Sequence, residues 1–167
     1  DAETAEIGMR AAITGHLVLS TLHTNTAVGA ITRLADIGCE RFLVGATLHG
    51  VIAQRLVRLL CTHCRQARAP TVDEGRLLGV RERDGCHIHE PNGCPRCLGT
   101  GYRGRVGLFE ALWLDGELAE RIANSAGERE LAQAAGGYWR LADDARDKVL
   151  RGVTSLAEVR PYLHPGL

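Results

Sequence analysis

The amino-acid sequence predicts an α/β fold of the doubly wound type, with a segment inserted between two antiparallel strands and helices at the carboxyl end. Three observations predict it. Residues 3–37 read as helix, strand and helix with tight connections, an order typical of a doubly wound sheet. Two strand-like runs, 51–60 and 104–114, flank a segment that holds five of the six cysteines. From Asp115 onward the pattern is helical.

The first two elements are predicted from composition and boundaries. Residues 3–14 favour a short helix, and Gly15 ends it. Residues 16–22 form an apolar run rich in strand-forming residues, bounded by Gly15 and a polar turn. Short apolar runs of this kind are typical of strands that are buried on both faces of a parallel sheet. We therefore expect a buried parallel strand at 16–22.

A second helix follows the polar turn. Thr24 or Asn25 can cap a helix over roughly 26–37, and Gly38 can end it. Another helical stretch is expected near 41–49. The apolar residues of the 26–37 helix recur at helical spacing, at Val28, Ile31, Leu34 and Ala35.

The runs 51–60 and 104–114 contain β-branched and aromatic residues punctuated by glycine, which favours strands. We interpret them as an antiparallel pair with the intervening segment inserted at its tip, because such an insertion adds little loop-closure entropy. Ser155 and Glu158 have the spacing of a capping box at the start of a last helix. The other C-terminal helices are predicted at 115–124, with Asp115 as its cap, 128–135 and 141–151.

Two C-x-x-C pairs are the most specific feature of the chain. Cys61 and Cys64 are separated from Cys94 and Cys97 by 29 residues. Four thiolates at this spacing predict a closed tetrahedral zinc site, and because all four ligand positions are filled the ion would be structural. Glycines just past Cys97 let backbone N–H groups approach the sulfurs. Two disulfides or four unrelated thiols are the alternatives.

Other residues near the pairs have less specific roles. His63, His87 and His89 lie among the cysteines and could replace a thiolate, although four matched cysteines make this unnecessary. Cys39 and Cys86 are interpreted as small inert side chains. Metal-type cysteine pairs with two leftover thiols favour a reducing compartment, so we expect a cytosolic chain.

Charge and hydropathy exclude some classes of function. Twenty basic and twenty acidic residues cancel, so no whole-molecule field attracts nucleic acid or membrane. Residues 51–105, however, contain ten arginines and five acidic residues, which gives this segment a net charge of +5. No apolar run approaches 18 residues and no signal-peptide pattern is present, which excludes a membrane span or secretion signal in this sequence.

Several sequence strings coincide, in order, with one family. The chain resembles the C-terminal part of the secretion ATPases that drive type II secretion and type IV pilus assembly. The twelve-residue string with two histidines is the most specific. Besides the two cysteine pairs, the strings are DAETA (1–5), TGHLVLSTLHTN (14–25), AQRLVR (53–58), GYRGRVGLFE (101–110) and GVTS (152–155).

The resemblance implies a RecA-like P-loop ATPase core that works as a homo-hexamer with ATP and Mg²⁺. It also implies a cytoplasmic position at the inner membrane, reached through secretion platform proteins. On this basis we expect part of the ATPase core at 1–60, a zinc-binding module at 61–100, a return strand at 101–114 and a helical subdomain at 115–167.

The resemblance also places the P-loop and the Walker B glutamate upstream of this sequence, the glutamate just before the position matching Asp1. The sequence begins at Asp1 without a methionine, and we expect it to be the C-terminal piece of a longer protein. No G-x-x-x-x-G-K-[ST] motif occurs in it. We therefore expect that this piece does not hydrolyse ATP alone.

The family's histidine box near the γ-phosphate maps onto His16 and His23, which makes them candidate catalytic residues. His23 would follow the carboxyl end of the predicted strand, where ligands bind in open α/β sheets. A neutral imidazole there can donate one hydrogen bond to a phosphate oxygen and accept another. The alternative is that the histidines only satisfy buried polar groups.

Thr24, in the same string, and Arg55 are candidate nucleotide-binding residues. An arginine such as Arg55 or Arg58 can stabilise charge on a neighbouring subunit's nucleotide in a ring ATPase. More often, a strand arginine lies on a solvated face or in an ion pair between subunits.

Two rivals come from other classes of protein. A zinc-ribbon nucleic-acid-binding module would explain the charge of residues 51–105, but Tyr102 is the one aromatic residue there and offers no stacking platform. A chaperone zinc domain would repeat the C-x-x-C-x-G-x-G pattern, which occurs once, at 94–101. The nucleic-acid-binding module also leaves the histidine string unexplained, and for the chaperone domain the Cys61 pair lacks the glycines.

Overall fold

The computed structural model describes residues 2–81 and 85–163, so Asp1, the first residue of the DAETA string, lies outside the described residues. The chain forms two compact units. The first unit contains the described residues of Asp1–Ala53 and Glu110–Trp139, and the second those of Gln54–Phe109 and Arg140–Leu167. The helices that follow residue 115 are therefore divided between the units, and the insertion lies wholly in the second.

The first unit begins with three helices close to their predicted positions: α1 (Ala2–Ile13), α2 (Ala27–Asp36) and α3 (Arg41–Thr47). The predicted cap of α2 is wrong, because neither Thr24 nor Asn25 caps it. Thr26 does so instead, and its Oγ1 accepts a hydrogen bond from the backbone N–H of Gly29 at 2.9 Å. Thr24 Oγ1 donates to the Thr26 carbonyl at 3.2 Å.

The predicted buried strand at 16–22 is not formed. These residues have no regular secondary structure, and Leu17 and Leu19 are 85% and 86% exposed. A parallel strand is stable only when neighbouring strands complete its hydrogen bonds. Among the described residues, the only sheets are two two-stranded sheets formed by other segments. No strand in them pairs with residues 16–22.

The predicted hairpin is present. Strand β1 (Gly50–Leu60) pairs with strand β4 (Tyr102–Trp113). In the first unit the N–H of Leu114 donates to the carbonyl of His49, just beyond the strand ends, at 3.0 Å. In the second unit the N–H of Cys61 donates to the carbonyl of Gly101 at 2.9 Å. The residue numbers rise on one strand as they fall on the other, so the pair is antiparallel.

The first unit has its own apolar core, in which α2 and α3 pack with α5 (Gly116–Ala123) and α6 (Glu128–Ala134). Asp115 caps α5 as predicted, and its Oδ1 accepts from the N–H of Leu118 at 2.8 Å. The buried side chains of this core include Val28, Ile31, Val44, Leu112, Leu118, Ile122 and Leu131.

The insertion contains elements that the sequence pattern did not predict. Strands β2 (Gln66–Arg68) and β3 (Ile88–Glu90) pair antiparallel, with Ala67 opposite His89. Helix α4 (Val72–Leu78) starts with a capping box between Thr71 and Glu74. Leu78 and Ile88 are buried in the same core as residues of the C-terminal helices.

The second unit ends with α7 (Leu141–Leu150), α8 (Leu156–Val159) and a 3₁₀ turn at Arg160–Tyr162. The predicted capping box at the start of α8 is wrong. Ser155 instead contacts the Tyr102 hydroxyl, oxygen to oxygen at 2.8 Å, and Glu158 accepts from Arg58. Because both side chains bind residues distant in the sequence, neither forms the local cap. None of the helices in the described ranges has the length and apolar character needed to cross a membrane.

Candidate functional site

The four predicted metal ligands lie together. The sulfurs of Cys61, Cys64, Cys94 and Cys97 are all within 4.8 Å of one another. The Cys61–Cys94 separation is 3.9 Å, and the Cys64–Cys97 and Cys94–Cys97 separations are 3.8 Å. A tetrahedral ion with metal–sulfur bonds of about 2.3 Å requires sulfurs about 3.8 Å apart. The cluster therefore fits a tetrahedral metal ion.

The disulfide alternative does not agree with this geometry. A disulfide requires sulfurs about 2.05 Å apart, and the cysteines of the cluster are free thiols. Within the described residues, the group that can hold a metal contains these four cysteines and no histidine. His63 instead contacts the Arg96 guanidinium through Nε2.

Local structure explains how the sulfurs converge. Cys61 lies just past the end of β1, and the chain turns back so that the N–H of Cys64 donates to the Cys61 carbonyl at 3.2 Å. The second pair spans a 3₁₀ turn at Pro95–Cys97, followed by Leu98 in the left-handed conformation, with φ 52°.

Backbone donors stabilise one sulfur in particular. The N–H groups of Cys94 and Gly101 each donate to Cys97 Sγ at 3.2 Å, and the bond from Gly101 is the kind that the glycines after Cys97 predicted. Gly101 has φ 76°, and a Cβ at this position would collide with Pro91. Desolvation acts to raise the pKa of Cys97, but hydrogen bonds from the backbone of Cys94 and Gly101 and from the Cys94 and Cys64 thiols together lower it to about 6. Cys97 is thus prepared to bind as a thiolate.

The cluster is joined to the C-terminal helices by residues beside it. Arg65, next to Cys64, donates to the carbonyl of Gly152 in the turn between α7 and α8. The His89 ring lies against Gly152, where an added Cβ would collide with it, and its Nδ1 is buried without a hydrogen-bond partner. Burial lowers the pKa of His89, assisted by Arg65 and His87. The neutral ring is therefore favoured.

The candidate nucleotide-facing residues lie in the exposed segment 16–24. His16 Nδ1 is 3.0 Å from Thr14 Oγ1 and 3.2 Å from the Ala11 carbonyl oxygen, so this ring lies against the C-terminal end of α1. His23 is exposed and Thr24 is half-buried. In the second unit, Arg55 donates to the carbonyl of Gln54 at 2.9 Å. Arg58 pairs with Glu158 at 2.7 Å and stacks on the Tyr102 ring at 4.0 Å.

One residue of interest was missed by the sequence interpretation. Glu110 is 5% exposed on β4, and its Oε1 accepts from the N–H of Ala27 at 2.6 Å. The available signal was its position as the one acid in the otherwise apolar run 106–114. A carboxylate inside a strand of this kind is buried only where donors compensate its desolvation.

The sequence model of the family described as "Type II/IV secretion system protein" matches residues 1–161. The chain belongs to this family. It is 46% identical over 160 residues to the type II secretion system ATPase E of Vibrio cholerae serotype O1. It is 48% identical over 162 residues to the type II secretion system protein E of Pseudomonas aeruginosa, and 44% identical over 163 residues to the type IV pilus assembly ATPase PilB of Thermus thermophilus.

Each of these family matches covers 95% of this chain but a minor part of the relative. The chain spans 32% of the length of both type II secretion proteins and 18% of PilB. The activity of the whole relatives is therefore not shown for this chain.

Two solved structures share the fold. The pilus retraction motor PilT with bound ADP matches with a TM-score of 0.62 at 23% identity, over 99% of this chain and 37% of that one. The Legionella pneumophila ATPase DotB matches with a TM-score of 0.60 at 24% identity, over 96% and 35%. At this level of identity the likeness shows the fold alone, and it confirms the predicted α/β class.

Proposed function

We propose that this chain is the C-terminal part of the cytoplasmic hexameric ATPase that powers type II protein secretion and couples ATP hydrolysis to pseudopilus assembly. The observation that carries the proposal is the identity of 46–48% to type II secretion proteins over 95% of the chain. Its partners would be its own copies and the inner-membrane secretion platform. The second candidate is the ATPase of type IV pilus assembly, favoured by the 44% identity to PilB.

The chain's contribution to ATP hydrolysis would come from the segment before α2. We assign His23 to the γ-phosphate of ATP, with Thr24 beside it and His16 in a supporting role at the other end of the segment. The exposure of His23 supports this assignment, because its imidazole is accessible to a ligand. Arg55 is proposed to face the nucleotide of a neighbouring subunit. The P-loop and Mg²⁺ site would be supplied from outside this sequence, which contains no P-loop motif.

The four-cysteine cluster is proposed to hold one structural Zn²⁺. Four sulfur ligands fill a tetrahedral ion, so no position is left for a reactive water. The ion would fix the two ends of the 65–93 segment at the tip of the β1–β4 pair, and supply stability rather than chemistry.

Charge pairing favours a protein partner over nucleic acid for the insertion. Arg68 contacts both Glu74 and Glu90 at 2.6 Å, and Arg76 contacts Asp73 at 3.1 Å. These pairs engage two of the ten arginines of residues 51–105, so the two guanidinium groups are already bound to carboxylates and are less available to phosphates. We expect no binding of single- or double-stranded DNA in a titration at 150 mM salt, and tight salt-dependent binding would favour the zinc-ribbon alternative.

The experiment that tests the proposal restores the missing part of the protein. The parent gene, with and without the His23→Ala change, is introduced into a strain that lacks its type II secretion ATPase and into one that lacks its pilus assembly ATPase. Restored secretion with unchanged piliation supports the type II assignment. Restored piliation alone supports the second candidate, and restoration of neither, with the protein expressed, contradicts both.

A further inference from the structure

A buried carboxylate holds the start of α2. Glu110 is 5% exposed on β4, and its Oε1 accepts from the N–H of Ala27, the first residue of α2, at 2.6 Å. Ala27 is itself fully buried. The first N–H groups of a helix have no partner within the helix, and the positive end of the helix dipole lies there. A negative charge is therefore favoured at this end of α2, and the short contact is a charge-assisted hydrogen bond.

The residues before α2 are tied to the same point. Thr26 Oγ1 accepts from the N–H of Gly29 at 2.9 Å, and Thr24 Oγ1 donates to the Thr26 carbonyl at 3.2 Å. His23 is the next residue toward the N-terminus. Four residues of extended chain span at most about 14 Å, so His23 stays near the helix end that Glu110 holds.

We propose that Glu110 is a positioning residue for His23, and this rests on the proposed function of His23 at the γ-phosphate. Glu110 makes no contact with the nucleotide in this proposal. Its carboxylate fixes where α2 begins, and so fixes the direction in which the segment 23–26 leaves the helix. Loss of the carboxylate would displace His23, and a displacement of about 1 Å at a reacting group reduces turnover by up to about 100-fold.

The structure offers a matched control. Glu128 lies at the same end of α2, with its Oε1 3.5 Å from Thr26 Oγ1, but its side chain is exposed and its contact with Thr26 is long. Glu110→Ala removes the acceptor, and Glu110→Gln removes the charge but keeps an amide oxygen that can accept from Ala27. Glu128→Gln changes a carboxylate of the same kind without touching the Ala27 N–H.

The first measurement is the steady-state ATPase activity of the parent protein with each change. We expect Glu110→Ala to lower kcat about 10- to 100-fold with KM for ATP changed less than about twofold. Glu110→Gln should recover part of the activity, and Glu128→Gln should match the wild type. Combining Glu110→Gln with His23→Ala should lower kcat no further than His23→Ala alone, because the two residues act on one contact.

The second measurement uses the 167-residue chain and needs no activity. In NMR spectra, Glu110→Gln should shift the ring signals of His23 and speed hydrogen exchange at the Ala27 amide, whereas Glu128→Gln should do neither. Should Glu110→Ala not fold, Glu110→Gln carries both measurements. Unmoved His23 signals, or losses of kcat that multiply in the double variant, would overturn the proposal. Unchanged turnover in His23→Ala alone overturns the catalytic role of the histidine. The His23 ring signals in Glu110→Gln still decide whether Glu110 positions the segment.

Discussion

Buried polar side chains in this chain are used mainly to hold backbone groups in place. Glu110 accepts from the N–H of Ala27, and Asp144 accepts from the N–H of Phe109 at 2.8 Å. Thr154 donates to the carbonyl of Arg58 at 2.7 Å. Leaving a buried polar group without a hydrogen-bond partner costs more folding free energy than one satisfied hydrogen bond contributes. These residues therefore fix particular backbone positions within their own units. Substituting one of them should disturb the backbone at the position that it holds.

The ion pairs around Arg68 give a prediction at this scale. Hydrogen bonds from Arg68 hold the pKa of Glu74 at about 2, against an ordinary value of 4.5. A carboxyl with a lowered folded pKa stabilises the fold fully above its unfolded pKa, and loses the contribution as pH falls through the folded pKa. We expect Glu74→Gln to lower the free energy of unfolding by about 1–3 kcal/mol at pH 7. The difference should be constant from pH 7 to 5 and shrink between pH 4.5 and 2 in denaturant titrations.

Asp73→Asn is the control for this pair, because Asp73 contacts Arg76 with both side chains largely exposed. Exposed pairs contribute little to stability. A Glu74→Gln difference that stays the same down to pH 2 would show that packing, and not the charge, is responsible.

At the scale of elements, local signals were sufficient for the helices outside the insertion, but α4 was missed and the strand at 16–22 was predicted wrongly. Helices satisfy their own backbone, so spacing and caps such as Asp115 predict them. The run 16–22 has the composition of a buried strand, but a strand depends on partners that its own sequence cannot specify. Ser155 and Glu158 fit a local cap, yet Tyr102 and Arg58 compete for them. The convergence of the four cysteine sulfurs was predictable because C-x-x-C spacing determines the geometry locally.

The insertion and the last helices form one unit, which changes what metal loss should do. The sequence predicts a zinc-binding module at 61–100 that is separate from a helical subdomain at 115–167. In the structure Leu78 and Ile88 share a core with Val149 of α7, and Arg65 donates to Gly152. We expect Cys94→Ser to abolish metal binding and also to speed amide exchange in α7 and α8, because they lose a packed neighbour.

Elemental analysis and hydrogen exchange of the purified chain check this prediction, with about one zinc per chain in the wild type. Cys86→Ser is the matched control, since Cys86 lies in the same segment but outside the four-cysteine cluster. Exchange that rises only within 61–97 would show that the insertion is independent of α7 and α8.

At the scale of the whole molecule, the chain is proposed to carry part of a nucleotide site. Its histidine segment is exposed, its sequence contains no P-loop, and it spans 32% of the type II secretion relatives. In the parent protein we expect His23→Ala to lower ATP turnover about 10- to 100-fold. A hydrogen bond to a charged phosphate is worth about 1.5–3 kcal/mol, which corresponds to that range. Steady-state kinetics measure it, and turnover equal to wild type would leave His23 with a structural role.

The 167-residue chain alone should neither bind ATP tightly nor hydrolyse it. Triphosphate binding in this class of ATPase depends on a glycine-rich loop whose backbone N–H groups and lysine surround the phosphates. The one lysine of this sequence, Lys148, forms an ion pair with Asp144 and lies 5.8 Å from the centroid of the Phe109 ring. Its ammonium group therefore already has partners within the second unit. Calorimetry should detect no binding at micromolar ATP, and phosphate release should equal the buffer rate. A magnesium-dependent turnover that is lost in His23→Ala would contradict this, because it would locate a complete hydrolytic site within these residues.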